Sequence, residues 1–368
     1  MLLFALACGG STPASDAAVL ADSGAPGDAG LDASSSPFVL PTVAARCSAP
    51  ADRSSSALAV TDAVPELALA RGDTDLALAY VVRAASPALA HFDLQRLTSA
   101  GAPTGAAISL GPVDMAIPGQ VSVARDGSSY LACTVTVGSV SCFRVDDAGT
   151  SRDDLMITDA TAIAIAAGPG GVMAAWTAAG ELLVGRLGSA GAHVATSGAR
   201  PSIAATDVGF VVGYTVGAAA YVAPVDASGA PGPPVSLGAA RSGGQVAVAF
   251  TGGSTGASFI GPSGDAMAAV VSAGTPHTIT VGPGASSYGR VAIARASDGF
   301  FATWSDFGGT IGGAFVDLSG AVTGAPYAHG VGWDDNAHDV IATDAAIVLA
   351  TNTTPSATPV DLALVGCP

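Results

Sequence analysis

Short apolar segments recur along the chain, each closing just before a turn rich in Gly and Asp. They read Glu66-Leu-Ala-Leu-Ala70, Gln120-Val-Ser-Val-Ala124, Ala162-Ile-Ala-Ile-Ala166 and Ser202-Ile-Ala204. The series continues with Gln245-Val-Ala-Val-Ala249, Arg290-Val-Ala-Ile-Ala294 and Asp339-Val-Ile-Ala342. Successive closing alanines lie about 45 residues apart, the length of a repeat unit holding four short strands. A second apolar segment follows each turn, as in Leu76 to Tyr80, Tyr130 to Thr134, Val172 to Trp176, Phe210 to Tyr214, Phe300 to Trp304 and Ile347 to Ala350. Unit five is weaker here, with Ser258 to Ile260. A third segment often ends in a small turn, as at Phe143 to Gly149, Val222 to Gly229 and Phe315 to Gly320, and a short fourth follows. Strand-length runs separated by Gly and Pro predict β-structure throughout.

Seven units of four strands are the pattern of a seven-bladed β-propeller, an all-β fold. Density of Gly and Pro excludes a helical solenoid. A transmembrane barrel would carry aromatic girdles at both interfaces, which a chain with 5% aromatic residues does not supply. Unit seven has three strands, the last being Val360 to Val365. Ala57-Leu-Ala-Val-Thr61, upstream of unit one, is predicted to supply the fourth and close the ring, leaving no open edge at the seam. Tyr80, Trp176, Tyr214 and Trp304 recur at one place in the repeat and read as packing residues.

Charge and cysteine usage add location. The chain has 368 residues, a net charge of −16 and no lysine, so all 13 basic residues are arginine. That balance argues against a nucleic-acid partner, whose phosphates call for a basic surface. Met1 to Ala7 is a short apolar run ending in small residues before Cys8. It reads as a truncated signal peptide (1–7), and Gly9 to Pro37 is an acidic Ser/Ala/Gly/Pro tract with no basic residue. Together they predict a lipid-anchored, disordered tether (8–37) ahead of a propeller over 38–368. The run lacks a positively charged start, and Ala5 stands where a lipobox prefers Leu. With Cys8 acylated, four cysteines remain, an even number suited to an oxidising compartment. Cys133 and Cys142 flank a hairpin with Val137-Gly138 at its turn, which sets them opposite each other at a closely spaced pair. Cys47 would then pair with Cys367 across the seam.

Motifs for nucleotide binding, serine hydrolysis, zinc peptidase chemistry and calcium loops are absent. Ser297-Asp-Gly-Phe-Phe-Ala-Thr-Trp304 has the composition of an Asp-box but the wrong spacing, and reads as a turn plus a core aromatic. One cluster concentrates ligand-capable side chains: Trp333, Asp334, Asp335, His338 and Asp339, in the loop entering unit seven. At the channel mouth of a propeller it is a candidate for a divalent cation or a sugar stacked on Trp333, although no spacing names a metal. The tether and degenerate repeats resemble the lipoproteins of myxobacterial-type, high-GC bacteria. The expectation is a monomer held in the bilayer through acylated Cys8, in the bacterial outer membrane, facing periplasm or surface. The resemblance carries no family-wide activity. The expectation is a non-enzymatic binding or scaffold propeller with a protein or glycan ligand. The alternative is an extracellular propeller enzyme acting on polysaccharide, a glycoside hydrolase or lyase.

Overall fold

The computed structural model describes residues 50–58, 60, 63–83, 90–113, 120–136, 139–147, 149–284, 290–330, 337–343, 346–352 and 360–366, without the side chains of 63 and 152–156. The chain divides into residues 1–38 and 39–368, and every described residue belongs to the second unit. The expected signal peptide and tether, Cys8, the Cys47–Cys367 pairing and Trp333, Asp334 and Asp335 lie outside the described residues.

Described strands form seven antiparallel sheets of four. The innermost strands of blades one to seven are Ala63–Arg71, Val121–Asp126, Ala160–Gly168, Gly198–Ala205, Val246–Thr251, Val291–Ala296 and His338–Ala342. Each touches the next, and the seventh touches the first, so the ring is closed. No described helix is long and apolar enough to cross a membrane.

The continuous apolar segments seen in the sequence are explained by where the core lies. Both faces of each blade are covered by neighbouring blades, so both sets of alternate side chains are apolar. In blade one, Ala68 and Ala70 pack toward Val121 and Val123 of blade two. Leu67 and Leu69 pack toward Val348 and Leu362 of blade seven. Small side chains on one face let neighbouring inner strands approach around the channel. Tyr80, Trp176, Tyr214 and Trp304 are buried between blades as core residues. Ser297 and Asp298 form the turn between the first two strands of blade six.

Blade seven departs from the repeat alignment by one residue. Val340 and Ala342 pack toward blade six, and Ile341 packs toward blade one. Ile341, not Ala342, is therefore the counterpart of Ala70. A one-residue slip exchanges the two faces of a strand, and alternation cannot reveal it where both faces are apolar.

The ring closes as expected, with one correction. The outer strand of blade seven is Ala51–Leu58, antiparallel to Val360–Gly366, rather than residues 57–61. Its Asp-Arg-Ser-Ser-Ser stretch lies exposed at a sheet edge, so hydrophobicity did not mark it. A polar network fixes this strand to blade six. Asp52 accepts from the Tyr327 hydroxyl at 2.5 Å and pairs with His329 Nδ1 at 2.8 Å, while His329 Nε2 lies 3.3 Å from Asp361. Burial and then the Asp52 bond push the Tyr327 hydroxyl far above its ordinary pKa, so it stays a donor.

The Cys133–Cys142 disulfide is present and both residues are fully buried. The two are directly paired across the hairpin with Cα atoms 4.1 Å apart, the close spacing expected of a non-hydrogen-bonded pair.

Candidate functional site

The seven inner strands surround a channel of about 560 Å³, inside the range of small-molecule sites. Its wall is mostly small or apolar, with Ala68, Ala164, Ala247 and Ala292 alternating with Leu, Val and Ile. Polar side chains gather where the inner strands begin. Glu66, Gln120, Arg200, Gln245 and Arg290 stand at the start of five inner strands, and all line the channel. The chain holds only two glutamates, Glu66 and Glu181, and three glutamines, Gln95, Gln120 and Gln245. One of the two glutamates and two of the three glutamines therefore sit at this one mouth.

Two links span the mouth. Arg290 of blade six donates to both carboxylate oxygens of Glu66 in blade one, at 2.6 and 2.8 Å, and also to the Pro65 carbonyl at 3.2 Å. This two-pronged geometry suits a guanidinium fork. It passes over blade seven, where small Ala337 precedes the inner strand. On the opposite side, Gln120 of blade two donates from Nε2 to the Pro201 carbonyl of blade four at 2.9 Å, passing over blade three. At the far end of the channel, Arg71 donates to the Ala342 carbonyl at 3.3 Å.

A further set of contacts stitches the inner strands together one layer deeper. The Ser122 hydroxyl accepts from the Ile165 N–H at 2.9 Å, linking blades two and three. In blade seven the same position holds Asp339, whose Oδ2 accepts from the Leu69 N–H of blade one at 2.7 Å. Its Oδ1 accepts from its neighbour Val340 at 2.8 Å. Burial raises the Asp339 pKa from its ordinary 3.8 to about 6, against the lowering effect of the two N–H donors.

Of the residues singled out in the sequence, His338 and Asp339 begin the inner strand of blade seven and line the channel. His338 is buried. The Asp339 carboxylate is occupied by backbone donors. Among the described residues no group of three or more His, Cys, Asp or Glu is arranged to hold a metal ion. The mouth residues Glu66, Gln120, Gln245 and Arg290 were visible as the first letters of the aligned segments. Their shared position, rather than any motif, was the available signal.

No protein-family model matches the sequence, and no curated protein matches it. Among solved structures, the WD40 domain of coronin from Toxoplasma gondii is similar with a TM-score of 0.55 at 10% identity, covering 89% of each chain. A chain of a mitotic checkpoint complex gives a TM-score of 0.56 at 12% identity, covering 85% of this chain and 91% of that one. A protein of unknown function from Dyadobacter fermentans gives 0.51 at 8% identity, covering 87% and 99%. At these identities the likeness concerns fold alone, and on fold the chain is a seven-bladed β-propeller.

Proposed function

We propose that this protein is a non-enzymatic binding module, anchored to a bacterial envelope, whose ligand enters the channel at the mouth where the inner strands begin. One observation carries the reading. A chain with two glutamates and three glutamines places three of those five side chains, with Arg200 and Arg290, around a single opening. Polar groups that converge at the opening of a cavity of this size fit a small-molecule site. Trp333, Asp334, Asp335, His338 and Asp339 belong to the same proposal as the segment that leads into blade seven, with a divalent cation or a glycan as their ligand. Polysaccharide cleavage is less well supported. It needs two carboxyl groups free to act on either side of the scissile bond, whereas Glu66 is clamped by Arg290 and Asp339 by two amides.

The anchor rests on Cys8 following an apolar run and preceding an acidic tether, and a buried disulfide fits an oxidising compartment. Fatty-acid labelling of the protein expressed in a bacterium should be lost in Cys8→Ser. For the site, the full-length protein is screened for thermal stabilisation by a glycan panel and divalent cations. Gln245→Trp, which places a large ring in the mouth, should abolish every genuine hit. Hits that survive in Gln245→Trp bind elsewhere and would overturn the assignment.

A further inference from the structure

Among the described residues, the two sides of the mouth differ in charge and in how far their polar groups are satisfied. Arg200, Gln245 and Arg290 occupy the starts of inner strands in three consecutive blades, four, five and six. Arg290 is neutralised by Glu66. Arg200 is exposed and has no carboxylate within ion-pairing distance among the described residues, and the Gln245 amide has no hydrogen-bond partner among them. In a protein of net charge −16, this guanidinium at the entrance of the channel is left uncompensated by the described residues.

Arg200 is also held in an unfavourable conformation. It sits where pairing with the next strand shifts between Ala199 and Ser202, and its φ of 42° falls in the left-handed region. A side chain with a Cβ adopts that region reluctantly, and such outliers gather at binding sites. Bulges re-aim side chains, and this one is pinned by the Gln120 bond to Pro201 O. That bond also fixes the Gln120 amide, because a carbonyl can only accept. Its Oε1 is left buried without a partner, so a ligand hydroxyl that displaced what covers it would satisfy this acceptor.

We propose that this side of the mouth binds a hydroxylated carboxylate of monosaccharide size, a sugar acid. Its carboxylate would meet Arg200 and Gln245, and a hydroxyl would donate to Gln120 Oε1. The inference rests on the binding-module reading and gives it a ligand class. Calorimetric titration of the full-length protein with D-glucuronate, D-glucose and sodium sulfate tests it. Glucuronate should bind at least tenfold more tightly than either glucose or sulfate. Arg200→Gln should weaken glucuronate at least tenfold, and exposed Arg83→Gln should change nothing. Arg200→Gly suits the left-handed backbone, so it should melt no lower than the parent while losing the same affinity. A merely structural arginine would not separate the two readouts. Equal affinity for glucuronate and glucose, sulfate binding as tightly as glucuronate, or full affinity in Arg200→Gly would overturn the inference. Neutral glycans that bind and are blocked by Gln245→Trp, with no glucuronate binding, would sink the sugar acid and leave the binding module standing. No binding of any glycan, acid or divalent cation would remove both.

Discussion

At the scale of single residues, Asp339 shows how one position can be both structural and titratable. It replaces the neutral contact that Ser122 makes between neighbouring blades. Its folded pKa of about 6 lies above its ordinary 3.8, so the fold prefers the protonated form. The associated stability is fully present below about pH 4 and is lost as pH rises through 6. The loss is on the order of 2–3 kcal/mol at most, given that the side chain keeps some solvent contact. Asp339→Asn does not titrate, and its unfolding free energy should lack this decline between pH 4 and 6.5. Parallel pH profiles for parent and variant would show that Asp339 ionises freely in the fold. The sequence marked Asp339 as a ligand candidate because it lies in an acidic cluster. The contact its carboxylate makes depends on Leu69, 270 residues away, which no local pattern could show. Glu66 and Arg290 are a similar case: each was legible as the first letter of a repeat, and their pairing was not.

Elements were legible in proportion to their burial. Inner and second strands, covered on both faces, stood out as apolar runs and were found near their observed positions. The Cys133–Cys142 pairing followed from counting outward from a two-residue turn, which depends only on local geometry. The closing strand is legible in its role but not in its position, because Ala51–Leu58 is held through backbone pairing and polar contacts at an exposed edge. Asp52 is the centre of those contacts. Asp52→Ala would leave the buried Tyr327 hydroxyl and His329 without that partner, a loss of roughly 2–4 kcal/mol. Hydrogen exchange should then accelerate over Ala51–Leu58 and Val360–Gly366 while the inner strands of blades three and four keep their protection. Uniform acceleration would mean that the ring opens as one cooperative unit.

For the molecule as a whole, the repeat count and the closed ring follow from spacing, since seven units of this length can bury their faces only against one another. The register of blade seven does not follow, because both faces of its inner strand are apolar and a slip leaves the pattern unchanged. Function belongs to this scale too: the mouth exists only when blades one, two, four, five and six bring their first residues together. Hydrogen exchange of the full-length protein, with and without a saturating ligand from the panel, tests that claim most directly. The expected result is added protection confined to the starts of the inner strands, around Glu66, Gln120, Arg200, Gln245 and Arg290. Protection confined to outer strands, with the mouth unchanged, would contradict it.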